Sequence, residues 1–223
     1  MLKRFAAALL AVALAAPLAI ADNAAPPSHE PVYTIDDPVP VQAVTRVQVR
    51  AALAARRKRN LAAFHAYRTK GIYPHNYTRT GPLNVWRDRD GHLCAAATII
   101  NADGQTDLVS EVAQVENNVR LLDVTDGPLM DWILQSGFTL EEIDRIQVPA
   151  PRPAPHVVTE PKDWRIAVDA KLRVEYDGTE AWLRRHDKDG LDAATDRLME
   201  RPELAAQLVA TAPEIKALPG VLK

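Results

Sequence analysis

Cys94 is the only cysteine in this chain of 223 residues, and His92 stands two positions before it. A cysteine hydrolase works through a thiolate activated by an imidazole, often with an Asn or Asp orienting the ring. His92, His75, Asn76 and His156 are the residues that could complete such a set, and His92 shares a face with Cys94 if the segment is extended. No local signature of a cysteine enzyme surrounds the thiol. Leu93-Cys94-Ala95-Ala96-Ala97 reads as close packing, in which a free cysteine behaves as a small hydrophobe. Core packing is the expected role. Catalysis by Cys94 with His92 or His75, and Asn76 as orienting group, is the alternative.

Other chemistries find less support. His65, His75, His92 and Cys94 are suitable metal ligands, but their spacing matches neither H-E-x-x-H nor C-x-x-C. Asp187-Lys188-Asp189-Gly190 begins like a calcium loop and lacks both the third acidic position and the glutamate six residues after the glycine. Glu141 and Glu142 sit where a helix's first turn favours negative charge, and Asp88 and Asp90 flank a turn. Neither pair has the placement of a glycosidase acid and nucleophile. Phosphate loops, G-x-S-x-G elbows and nucleotide fingerprints are absent. No cofactor and no metal are expected.

The elements that would position Cys94 centre on Leu83 to Ile100. Two runs rich in strand formers, Leu83–Arg87 and His92–Ile100, flank Asp88-Arg89-Asp90-Gly91. Asp-Gly after such a run signals a tight hairpin, with Gly91 at positive φ. The second run is nearly all small and apolar, as a strand buried on both faces is. The fold class expected is α+β: a small antiparallel sheet centred on a β-hairpin at about 83–100, packed by helices, with Val119 to Val124 as a third strand, plus a helical C-terminal module.

Helical signals surround this segment. Thr45 to Lys70 is rich in alanine, leucine and arginine, free of proline, and stopped by Gly71. Val49, Leu53, Asn60, Phe64 and Tyr67 fall on one face, interrupted by Arg56 or Arg57. The Arg56-Arg57-Lys58-Arg59 run points all around that helix and reads as a solvated patch, with attraction to an anionic polymer as the alternative. Thr106 to Asn118 is amphipathic. Thr125 or Asp126 caps a helix that carries Pro128 in its first turn and ends at Gly137. Thr139-x-x-Glu142 is a capping box for a helix to Gln147, with Phe138 and Ile143 as a hydrophobic staple. In the tail, Trp164, Val168, Leu172, Tyr176 and Leu183 form a stripe on a helix weakened by Gly178, and Pro202 divides two further helical pieces.

The N-terminus reads as an export signal. Lys3 and Arg4 precede an apolar run from Phe5 to Ile20, and Ala19-Ile20-Ala21 matches the cleavage pattern. The run is short for a membrane span. Cleavage removes Lys3, Arg4 and no acid, taking the formal charge from −2 to −4, which argues against a nucleic-acid binder. With one cysteine the exported chain has no internal disulfide and folds on its apolar core. The prolines divide what remains: a signal peptide at 1–21, a Pro-rich tether at 22–44, a core domain at 45–148, a Pro-rich linker at 149–161 and a helical module at 162–223.

In order, Tyr73-Pro74-His75-Asn76, Pro82 through Asp88, Gly91-His92-Leu93-Cys94-Ala95-Ala96-Ala97, Asn117 or Asn118, Trp132, and Gly137-Phe138-Thr139-Leu140-Glu141-Glu142-Ile143 ending in Ile146-Gln147 resemble an uncharacterised family of exported bacterial proteins. Its pattern is P-x-N, D-x-x-G-x-x-C-A, a tryptophan, and G-x-T-x-E-x-x-x-I-Q. The resemblance covers about Asn60 to Pro149 and departs at Ala97, where glycine is usual, and at Val148-Pro149. It implies export and assigns no catalytic roles. The expected function is a non-enzymatic binding or structural role in the periplasm or outside the cell, with no membrane span in the mature chain, no nucleic acid, and an envelope or protein partner docking on the helical tail. A thiol-dependent hydrolase or transferase is the alternative.

Overall fold

The computed structural model describes residues 43–77, 84–147 and 164–212. The export signal, nearly all of the 22–44 tether, the 149–161 linker and His156 lie outside them. The described residues are mostly helical: α1 Arg46–Lys70, α2 Ala95–Ala102, α3 Thr106–Val115, α4 Gly127–Gln135, α5 Leu140–Gln147, α6 Trp164–Arg185, α7 Asp187–Met199 and α8 Pro202–Thr211, with a 3-10 turn at Leu121–Asp123. All of them belong to one unit.

The expected α+β fold with its antiparallel sheet is therefore wrong. Among the described residues there is no strand, and the only pairing of that kind is a single antiparallel bridge between Arg87 and Leu93. The turn itself is where Asp-Gly places it: the Gly91 N–H donates to the Asp88 carbonyl at 3.1 Å, with Gly91 at φ +85°. Beyond the bridge the chain enters a helix, α2. A short apolar run buried all round looks alike as strand or helix, and three consecutive alanines tip it toward helix. Cys94 caps that helix, its Sγ accepting from the Ala97 N–H at 3.4 Å.

The segment before the turn stays extended but finds asparagine side chains where a sheet would supply strands. Asn117 Oδ1 accepts from the Arg87 N–H at 3.0 Å and its Nδ2 donates to the Arg87 carbonyl at 2.9 Å. Asn118 Nδ2 donates to the Asn84 carbonyl at 2.6 Å. The third expected strand is the 3-10 turn. Gln147 serves that stretch from across the fold, accepting from the Leu121 N–H at 2.9 Å and donating to the Val119 carbonyl at 2.9 Å.

Helix α1 is the axis. The left-handed Gly71 stops it as the sequence predicts, and a Thr45–Gln48 capping box, not among the sequence expectations, opens it. Its C-terminal half, Leu61, Phe64 and Tyr67, lies in a core with Trp86, Cys94, Ala95–Ala97, Ile99, Phe138, Ile143, Tyr176 and Leu183. Its N-terminal half, Val49, Ala52 and Leu53, lies in a second core with Leu134, Leu191, Leu198 and Leu208. The tail helices thus complete both cores. Tyr176 of α6 meets Phe64 edge-on at 5.7 Å and Tyr67 at 5.5 Å between ring centroids, geometries that aromatic quadrupoles favour.

Arg57 and Asn60 occupy α1 between its two apolar halves. Arg57 is buried and makes a bidentate pair with Glu142, Nη1 to Oε2 at 2.7 Å and Nη2 to Oε1 at 2.8 Å. Its Nε reaches Asp187 Oδ1 at 2.7 Å and Nη1 also donates to the Gly137 carbonyl at 2.9 Å. Asn60 Nδ2 donates to the Ser136 carbonyl at 2.8 Å. The basic run is therefore not a uniformly solvated patch. Lys58 and Arg59 are exposed, whereas Arg56 bonds Gln135 and Arg57 is a core residue.

Candidate functional site

The turn before α2 brings together the residues whose types suggest chemistry. At its centre is Asp88, whose buried carboxylate accepts four hydrogen bonds. Oδ1 takes the N–H groups of Asp90 and His92, each at 2.9 Å. Oδ2 takes the His75 N–H at 3.2 Å and lies 3.1 Å from His92 Nδ1. Burial alone pushes Asp88 upward, and the bonds from His92 and His75 outweigh it, so the carboxyl titrates below its usual range. An ionised carboxylate only accepts, so Nδ1 of His92 carries the proton in this pair.

His75 and His92 are each held by an aspartate. His75 Nε2 lies 3.0 Å from Asp169 Oδ1 on α6, which ties the 71–77 segment to the tail. Asn76 is half-buried beside it. Tyr77 donates its hydroxyl to Asp90 Oδ2 at 2.8 Å. The guanidinium carbons of Arg89 and Arg165 lie 3.9 and 4.5 Å from the Tyr77 ring centre, within the range of cation–π attraction.

Cys94 is separate from this polar group. It is 4% exposed and belongs to the core that holds Tyr67 and Tyr176. Its Sγ bonds to the Ala97 N–H and to neither histidine. Burial pushes the thiol up to about 12, the N–H groups at the start of α2 pulling the other way without prevailing. A thiol with that pKa is protonated at neutral pH and a poor nucleophile. The structure brings His75 and His92 together around Asp88 and leaves Cys94 in the core.

Asp88, Asp90 and His92 place one ligand atom each within 4.8 Å of one another. The Asp88 oxygens already accept four donors, so this carboxylate is spent on holding the loop. His65, another of the ligand types, lies apart, 3.1 Å from Glu180 on α6. Asp187–Gly190, the calcium-like stretch, is the first turn of α7. An open cleft of about 580 Å³ lies between α1 and the α6–α7 junction, lined by Lys58, Leu61, Arg184, Asp187 and Leu191. Its wall includes Arg57, whose charge is already met by Glu142 and Asp187.

Two residues that organise this chemistry do not stand out in the sequence. Asp88 reads there only as a turn flank, although Asp-x-Asp-Gly is a pattern in which the first carboxylate bonds backbone N–H groups two and more residues on. Glu142 reads as a capping residue. It is one, exchanging bonds with Thr139 at 2.8 and 3.1 Å, and it is also the buried partner of Arg57. No family model, curated relative or solved structure matches this chain.

Proposed function

We propose that this is an exported protein with a non-enzymatic binding or structural role, periplasmic or extracellular after cleavage near Ala21. The observation that carries the reading is the state of Cys94, a buried thiol that caps α2, titrates at about 12 and bonds no histidine. The thiol-dependent hydrolase or transferase needs an exposed thiolate beside a base, and the candidate bases His92 and His75 are committed to Asp88 and Asp169. Export is supported by the order of charge, apolar run and Ala19-Ile20-Ala21, and by the motif order that resembles exported bacterial proteins. Among the described residues no helix is long and apolar enough to cross a membrane.

The experiment has two arms. Amino-terminal sequencing of the protein recovered from cell fractions should begin at Asp22, and full-length chain retained in membranes overturns the export reading. Purified protein is then offered thioester and p-nitrophenyl ester reporters beside Cys94→Ala. Equal background rates support the non-enzymatic reading. Turnover present in the parent and absent from a folded Cys94→Ala overturns it.

A further inference from the structure

Within the Arg56–Arg59 run, Lys58 is exposed and makes no ion pair or hydrogen bond among the described residues. Arg56 bonds Gln135, and Arg57 is held by Glu142 and Asp187. Lys58 stands at the open cleft of about 580 Å³ between α1 and the α6–α7 junction. Ala54, Lys58, Leu61 and Ala62 form the α1 wall of that cleft, and their helical spacing puts them on one side of the helix. Leu61 and Leu191, 9% and 5% exposed, are its apolar floor. Leu61 belongs to one core and Leu191 to the other, so the cleft opens where the two cores reach the surface.

The charges around the cleft favour an anion. Its described lining carries Arg57, Lys58 and Arg184 against Asp187 alone. Asp187 is held by Arg57 Nε at 2.7 Å. Arg184, on the wall facing α1, bonds the buried Glu180 through Nε and Nη2, and its other terminal nitrogen bonds nothing among the described residues. The two arginines are thus matched by acids, and the ammonium of Lys58 is the charge left for a ligand. The volume lies within the roughly 300–1,000 Å³ of small-molecule sites. The α1 wall is about 12 Å long from 54 to 62, little more than two helical turns, which suits a small molecule better than a docked helix.

We propose that this cleft binds a small amphiphilic monoanion, with its apolar body on Leu61, Leu191 and the two alanines and its carboxylate at Lys58, where Arg184 is the second donor. The inference extends the binding half of the proposed role and uses neither Cys94 nor the export signal, so the two fail separately.

Octanoate is the probe, titrated into the isotope-labelled mature protein and followed by two-dimensional NMR, with circular dichroism confirming that each variant is folded. Saturable shifts centred on residues 54–62 and 184–191 are expected. Lys58→Ala should weaken binding about fivefold, the upper end of what an ion pair at an exposed rim contributes, and Lys58→Arg should retain it. Ala62→Phe fills the cleft from an exposed position and should weaken binding by about tenfold or more. Octanamide, of the same length and uncharged, should bind the parent as weakly as octanoate binds Lys58→Ala. The absence of a saturable shift at a few millimolar octanoate overturns the proposal. So do shifts centred elsewhere, or binding indifferent to Lys58→Ala or to Ala62→Phe.

Discussion

Arg57 on α1 and Glu142 on α5, 85 positions apart, form a bidentate ion pair with both side chains almost wholly out of water. The pair sits where the two apolar halves of α1 meet. Glu142 also closes the capping box of α5, and Arg57 also holds Asp187 at the start of α7. One contact therefore sets the positions of three helices.

Breaking one side of this pair leaves an uncompensated buried charge, which costs more than the pair contributes. Arg57→Leu and Glu142→Leu are each expected to lose on the order of 3–5 kcal/mol of stability. The double variant should lose clearly less than the two losses added. Urea denaturation of the three variants measures the coupling, and simple additivity would remove Arg57 from the place assigned to it.

Gly137 supports the same junction. It takes φ +81°, and a side-chain carbon there would stand 2.6 Å from the Leu53 carbonyl oxygen and 2.7 Å from Arg57 Cβ. Gly137→Ala should therefore destabilise the protein by roughly 2–4 kcal/mol. Gly178→Ala, in the middle of α6 with open space around it, should stabilise by roughly 0.5–1 kcal/mol. Thermal unfolding of the two variants should move the midpoint in opposite directions.

The tail completes both cores, so a chain ended after Gln147 loses Tyr176 and Leu183 from one and Leu191, Leu198 and Leu208 from the other. That truncation should abolish cooperative unfolding. A sharp transition with native-like near-ultraviolet signal in the shortened protein would show that α6–α8 are an appendage.

Acid should loosen the contact between α1 and α6. Burial by itself raises Glu180, yet bonds from Arg184, His65 and Arg68 bring it down to about 2 from an ordinary 4.5. A carboxyl whose pKa is lower folded than unfolded adds stability above its unfolded pKa and loses it as pH falls through the folded one. The contribution is complete above about pH 5 and fades toward pH 2. Its size is on the order of 2 kcal/mol, since the surfaces of His65 and Arg184 are half in water. Asp88 acts in the same sense. Glu180→Gln should be less stable at pH 7 and less sensitive to acid below pH 4.5, as denaturation curves at several pH values will show.

Local signals are legible in the sequence where their cause is local. Thr45 and Gly71 bound α1, Thr139 with Glu142 opens α5, and Gly91 makes its turn at positive φ, because each depends on a few neighbouring residues. The sheet is a misreading because its evidence is periodicity within a run buried on every side, where helix and strand carry the same pattern. Ala95–Ala97 hold the correction. The partners of Arg57 and of the 84–88 segment are not legible, since Glu142, Asn117 and Asn118 reach them only through the fold. The environment of Cys94 is legible from its apolar neighbours. That it caps α2 is not, because that role requires the helix.

The state of the Cys94 thiol decides the functional reading, and its alkylation rate reports that state directly. Native protein treated with iodoacetamide between pH 6 and 9 should react at least a hundredfold more slowly than protein in denaturant, on the order expected for a thiol shielded by the core. The denatured chain should follow an ordinary thiol titration near pH 8.5. Stoichiometric alkylation of the folded protein within minutes, at a rate that titrates below pH 7, would contradict the account and put the cysteine-hydrolase reading in its place.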